Sequence, residues 1–304
     1  MQTSLLIKKS CFICNKTSDC SIESRVINGN LKCDVFRCRK CGLQFLDKKF
    51  VQKNISNNFY KESYKHVYDK NFFMNPNNIY KKIFDQTKKY FKKKDVLEIG
   101  PGGGYFFYYL KNVVNIYNAV EVGNTQRSVL QKLHKIKVFS SLRNVKKKYD
   151  VIVLISVLEH VKQPIIFLTK LKKFLKKNGL IIFEVPNVDD PLISHYNLDY
   201  YKQKYYRKVH LNYFNNSTIK KLIKIANLKL VYQKTLLTYS LSNHLSWFYK
   251  KRGNKKSSDA TNIYFEHLKD KNQKIINLFS YLDEKYKEYF HKKKIGDIEI
   301  CVCK

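Results

Sequence analysis

The 304-residue chain carries 59 Lys and Arg against 24 Asp and Glu, a formal charge of +35, but the excess is nearly all lysine and accompanies heavy use of Asn, Ile, Tyr and Phe, as an AT-rich genome produces. Lysine lacks the bidentate fork with which arginine reads phosphates and guanines, so a solvated lysine surface is favoured over a nucleic-acid-binding face, with the latter kept as the alternative. No run of 18 apolar residues is present and "SLLI" is followed at once by Lys8 and Lys9, which excludes a membrane-spanning helix, argues against a secretory leader and makes the cytoplasm the expected location.

Near the start lie two C-x-x-C pairs, Cys11/Cys14 in "CFIC" and Cys38/Cys41 in "CRKCG", separated by 23 residues. Two such knuckles can converge into the four-sulfur tetrahedron that zinc accepts, and Gly42 lets the second knuckle turn its amides toward sulfur. A redox role fits less well, because redox motifs come as one pair inside a βαβ pattern. Cys20 and Cys33 lie between the knuckles and could stand in for a ligand. A closed four-thiolate site leaves no position for substrate, so its zinc would hold the module together. Residues 1–46 are therefore expected to form a zinc ribbon.

Residues 47–94 are polar and aromatic, and Ile79, Ile83, Phe84 and Phe91 fall on a helical stripe, so this stretch predicts one or two helices leading into a core. Tyr60 and Tyr64 share a face, where either cleft lining or packing would explain them.

From Asp95 the chain alternates strands and helices. "DVLEIG" predicts a first strand running into Gly100-Pro101-Gly102-Gly103-Gly104, a loop whose glycines let a ligand touch the main chain. "IYNAVEV" predicts a second strand ending at Glu121, placed where a carboxylate can accept ribose hydroxyls. "KIKVFSS" is a third, with helices over 105–111 and 124–134. "YDVIVLISVLEHV" is a continuously apolar fourth strand ending in Ser156, Glu159 and His160. Pro164 then opens a helix expected to end at Gly179, and "LIIFEVPN" is a fifth strand. Cys301 and Cys303 alternate on "EICVC", a strand in which they read as small core residues. Buried strands alternating with helices predict an α/β doubly wound sheet, with ligands at the carboxyl ends of the strands.

The segments "VLEIGPGGG", "VEV", "YDVIVLISVLEHV", "GLIIFEVPN" and "VHLNYFNNSTIKKLIKIANLKL" resemble successive motifs of class I S-adenosylmethionine-dependent methyltransferases. Within that superfamily they are similar to bacterial proteins in which a four-cysteine zinc ribbon precedes the methyltransferase domain, among them sugar methyltransferases of surface-glycan and deoxysugar pathways. The resemblance implies a Rossmann-like seven-stranded sheet over 95–236, whose last strand, 297–303, inserts antiparallel after a helical insertion in 237–304 that would serve as a cap or a homodimer contact. It implies that Glu98, Gly100, Gly102 and Gly104 hold the methionine part of the cofactor and Glu121 the ribose, with Ser156 and Glu159 beside them. A sulfonium cation bearing an ammonium group suits these acidic residues, whereas a dinucleotide would call for Lys or Arg in the loop. Ser140 and Ser141 are the only polar residues near the adenine position. His210 resembles the histidine of a Glu-His-Leu segment that acts as general base in sugar C-methyltransferases. Val209 stands here in place of the glutamate, which favours O-methylation, and His160 is a second candidate catalytic residue. Tyr205, Tyr206 and Tyr213 are expected around the acceptor. The expected acceptor is a nucleotide sugar or glycan precursor, and RNA, gripped by the ribbon and the lysine surface, is the alternative.

Overall fold

The computed structural model describes residues 6–54, 79–250 and 273–304; Tyr60 and Tyr64 lie outside them. The first unit is an antiparallel sheet of β1 (Ile7–Cys11), β2 (Lys16–Ile27), β3 (Leu31–Cys38) and β4 (Gln44–Leu46). Gly42 turns the β3–β4 knuckle with φ +86° and donates its amide to the Cys38 carbonyl, a backbone shape that glycine adopts without a Cβ penalty. After α1 (Lys48–Asn54), α2 (Ile79–Thr87) buries Ile83 and leads through a short turn to buried Phe91, the stripe that its sequence predicts.

The core then runs β5 (Asp95–Ile99), α3 (Phe107–Leu110), β6 (Ile116–Val120), α4 (Asn124–His134), β7 (Lys137–Phe139), β8 (Tyr149–Ile155), α5 (Pro164–Leu171) and β9 (Leu175–Pro186). It continues with α6 (Pro191–Ser194), α7 (Asp199–Tyr205), β10 (Asn212–Tyr213), α8 (Asn216–Ile225), β11 (Leu230–Leu236), α9 (Leu241–Lys250), α10 (Gln273–Lys292) and β12 (Ile298–Cys303). Seven strands form one sheet in the order β11-β12-β9-β8-β5-β6-β7. Strands β7, β6, β5, β8 and β9 are parallel, and β12 lies antiparallel between β9 and β11. The expected Rossmann-like methyltransferase sheet with an antiparallel last strand is therefore present.

Alternate residues of the buried strands face opposite layers. Leu97, Ile99, Ile152, Leu154, Ile181, Phe183, Cys301 and Cys303 join one apolar cluster with Leu168 and Leu171 of α5 and Ile219, Leu222 and Ile223 of α8. Val96, Val151, Val153, Ile182, Ile300 and Val302 join another with Ile83, Phe106, Leu110 and Leu130. The first cluster also contains Cys11, Phe36, Cys41, Leu43 and Phe45, so the N-terminal sheet packs into the core. Helix α8 starts with a capping box in which Asn215 accepts from the Thr218 amide while Thr218 accepts from the Asn215 amide, satisfying two amides that the helix leaves open.

The helix opened by Pro164 ends earlier than its sequence suggests. It gives way at Lys172 to a single tighter turn, and β9 begins at Leu175. Tyr149 pairs with Leu175 and Val151 with Leu180, so residues 176–179 form an excursion on the strand, with Asn178 at φ +63°. Gly179 is thus a strand-bulge residue and caps no helix. Helix α3 is likewise a four-residue remnant of the 105–111 helix, because the glycine turns persist through Phe106.

The N-terminal sheet also acquires a fifth strand from far along the chain. Asn212 and Tyr213 of β10 pair with Phe45 and Gln44 of β4. At the other end of the sheet, the β2–β3 turn donates Asn28 and Gly29 amides to the Tyr206 and Gln203 carbonyls. The segment from α7 to β10 is held at both ends by this sheet.

Candidate functional site

At the N-terminal cluster, Cys11 Sγ lies 3.5 Å from Cys41 Sγ and Cys14 Sγ 3.7 Å from Cys38 Sγ, and the four sulfurs fall within 4.8 Å of one another. A tetrahedral zinc with bonds near 2.3 Å sets its sulfurs roughly 3.8 Å apart, so the cluster has the right size and chemistry for that ion. The hydrogen bond with Cys41 draws the Cys11 thiol down to about 5 and pushes Cys41 up. Cys20 and Cys33 lie outside the quartet, their thiols turned to the Ser18 and Asp34 carbonyls.

The glycine loop sits at the carboxyl end of β5, between β8 and β6 in the sheet. Gly100, Gly102 and Gly104 all have positive φ. A Cβ on Gly100 would strike Val157 at 2.8 Å, and one on Gly104 would meet Leu130 at 2.9 Å, whereas a Cβ on Gly102 would meet nothing within 4 Å. Gly102 therefore borders open space over the loop, as a cofactor cradle requires. Glu121 Oε2 accepts from the Gly102 amide at 3.1 Å and Oε1 from the Gly123 amide at 2.8 Å. The carboxylate thereby shapes the loop, and each oxygen keeps a second lone pair. Burial raises its pKa, against the pull of those amides. Glu98 is buried beneath the loop, bonded to the Tyr117 hydroxyl and pushed up to about 8 by burial.

A cavity of about 390 Å³ opens at the carboxyl ends of β8 and β9. Ser156, Glu159, His160 and His210, all singled out in the sequence, line it. Ser156, at φ +53°, donates its amide and hydroxyl to Glu184 Oε2, both at 2.9 Å. His160 Nδ1 lies 2.7 Å from the Val209 carbonyl and its Nε2 3.7 Å from Glu159 Oε1. The His160 and His210 rings meet edge to face with centroids 4.9 Å apart. Burial holds His210 well below the usual imidazole range and lowers His160 too, so both are neutral at physiological pH.

The cavity is more acidic than its sequence suggests. Glu184, Asp190 and Asp297 join Glu159 on its walls, facing Lys204 and Arg207. Burial pushes Glu184 and Asp190 to about 7 and raises Asp297. Glu184 carried a visible signal, a charge inside the apolar run "LIIFEVPN". Asp190, Tyr201, Tyr239, Asn243, Trp247 and Asp297 carried none, because α7, α9 and the end of β11 reach the cavity only through the fold. Of the three tyrosines expected here, Tyr205 lines the cavity. Tyr206 and Tyr213 pack behind it, bonded to Gln44 and to the Arg207 backbone.

A sequence model described as a methyltransferase domain matches residues 76–233. Among curated proteins none matches. Of solved structures, coclaurine N-methyltransferase bound to N-methylheliamine and SAH is 15% identical, with a TM-score of 0.46, covering 85% of this chain and 80% of its own. An S-adenosylmethionine-dependent methyltransferase from Thermotoga maritima is 16% identical, with a TM-score of 0.46, covering 77% and 92%. At that distance neither bears on the acceptor of this chain.

Proposed function

The chain belongs to the methyltransferase-domain family and is an S-adenosylmethionine-dependent methyltransferase; on that premise we propose that it methylates an oxygen of a small polyhydroxylated acceptor, a nucleotide-linked sugar or surface-glycan precursor. The observation that supports this reading is the cavity at the carboxyl ends of β8 and β9, joined to the glycine loop through Val157, which packs against Gly100 next to lining residue Ser156. The cavity's volume of about 390 Å³ is in the range of small-molecule sites, and its carboxylates and imidazoles are acceptors for hydroxyl groups.

When bound, the cofactor supplies an electrophilic methyl group. Gly102 and Glu121 would hold it over the loop, with Glu98 and Gly100 beneath, Gly104 at the loop's end and Ser156 and Glu159 toward the reacting end. Val157, which packs against Gly100, joins the loop to the turn carrying Ser156 and Glu159. The chain's task is then to align an acceptor hydroxyl and dispose of its proton. His210, neutral and at the cavity wall, can take that proton, while His160 is fixed through Nδ1 by Val209. The four-cysteine cluster would hold a structural zinc, remote from the methyl group.

The test uses S-adenosylmethionine with a labelled methyl, incubated separately with a nucleotide-sugar pool and with unmodified bulk RNA, with Glu121→Ala as control. Label in the sugar pool, lost in the control, is expected. Label in RNA instead would overturn the acceptor and give the lysine surface a role in binding phosphates.

A further inference from the structure

Burial, with the neighbouring Glu184, raises the Glu159 carboxyl well above the usual carboxylate range, so without a cation beside it the group keeps its proton. The residue is 1% exposed, and neither carboxylate oxygen has a hydrogen-bond partner among the described residues. A buried carboxylate is ordinarily paired, hydrogen-bonded or bound to a metal. What stands beside this one is a pair of imidazoles. One donor atom from each of Glu159, His160 and His210 lies within 4.8 Å of the other two, and all three residues line the cavity.

The orientation of His160 adds a second observation. Its Nδ1 lies 2.7 Å from the Val209 carbonyl, a contact that requires the N–H on that nitrogen; Nε2 lies 3.7 Å from Glu159 Oε1, and the ring also meets the Ser156 backbone, a contact that the ion would have to displace if it involves Nε2. Metal-bound histidines are fixed in this way, by a backbone carbonyl on the nitrogen away from the ion. Two imidazoles and one carboxylate grouped on one side of a cavity form the donor set that divalent first-row cations take, with the remaining positions left to exogenous oxygen.

We propose that Glu159, His160 and His210 together bind one divalent first-row cation at the cavity wall. Donors around such an ion stand roughly 3.0–3.5 Å apart at bond lengths near 2.1 Å, so the triad, whose donors lie within 4.8 Å of one another, would draw together to take the ion. The inference rests on the acceptor-pocket reading and deepens it. A hydroxyl oxygen of the acceptor would complete the coordination, be positioned by it and lose its proton more readily, to water on the open side. In the loaded enzyme His210 is a ligand in place of the base role given it above, the proton passes to water, and the acceptor is selected for a coordinating hydroxyl.

Manganese discriminates this site from the four-cysteine cluster, since thiolates prefer zinc and imidazole with carboxylate suits manganese. The zinc-loaded full-length protein would be titrated with Mn²⁺, following loss of the free-ion paramagnetic resonance signal. S-adenosylhomocysteine binding would be measured on the same samples. One Mn²⁺ per chain is expected, with affinity weakened at least about tenfold in both His210→Ala and Glu159→Gln, and with zinc content unchanged. Absence of Mn²⁺ uptake by the wild type at about 1 mM, a concentration that fills any site of useful affinity, would overturn the proposal. Equal affinity in wild type and both variants would do the same. Retained S-adenosylhomocysteine binding without Mn²⁺ uptake condemns the cation alone, whereas loss of S-adenosylhomocysteine binding by the wild type counts against the methyltransferase reading.

Discussion

Asp190 shows how a single side chain can tie stability to pH. Its carboxyl accepts from the Leu192 amide and the Tyr201 hydroxyl, yet burial still pushes it to about 7, well above the value near 4 expected in the unfolded chain. The folded state therefore binds the proton more tightly, so the contribution is complete below about pH 4 and is lost as pH rises through 7. Wild-type stability should fall by on the order of 2 kcal/mol between pH 5 and pH 8, with Glu184 contributing in the same sense. Asp190→Asn, which cannot ionise, should flatten that fall in urea titrations; parallel curves would mean that Asp190 is ionised throughout. At the glycine loop, Gly102→Arg would place a long cation in the open space over a positive-φ residue. Calorimetry should show cofactor binding lost with zinc content intact, and retained binding would refute the cradle. Both the loop and the cysteine quartet were legible in the sequence because their chemistry lies within short spacings. Asp190 and Asp297 were not, since nothing in their neighbourhoods distinguishes a carboxyl aimed into a cavity from one in water.

Among the elements, β12 carries the tightest backbone constraint. A Cβ on Gly296 would sit 2.3 Å from the Leu236 carbonyl oxygen and 2.6 Å from its carbon, and backbone atoms cannot swing aside as a side-chain tip can. Gly296→Ala should cost about 3 kcal/mol in denaturant unfolding, by separating β12 from the end of β11 and displacing Asp297 at the cavity. A loss below about 0.5 kcal/mol, the scale of a neutral surface change, would show that the β11 end yields. The strands themselves followed from their apolar runs, and α2 from its stripe through Ile79 and Ile83. Helix α5 did not end where its glycine suggested, because pairing of Leu175 with Tyr149 on β8 outcompetes local propensity for residues 175–179. Tertiary pairing of this kind has no trace in a single window of sequence.

At the scale of the whole molecule, the N-terminal sheet braces from behind the segment that carries Lys204, Tyr205, Arg207 and His210 on the cavity wall. It holds residues 203–213 through Asn28 and Gly29 at one end and through the β4–β10 pairing at the other. Leu211 donates its amide to the Glu159 carbonyl and accepts from the Leu46 amide. Stripping the proposed zinc from the cysteine quartet with a strong chelator should therefore raise KM for the acceptor several-fold while leaving cofactor affinity unchanged, because the loop at β5 has no part in these contacts. Equal loss of both would indicate general unfolding. The division at residue 46 that the cysteine spacing suggests hides this connection, which depends on two residues, Asn212 and Tyr213, separated from their partners by most of the chain. Recombination between relatives is constrained accordingly. A graft that carries over residues 1–46 alone would leave β10 facing a foreign edge, so the N-terminal sheet and the stretch from Gln203 to Tyr213 must change in step.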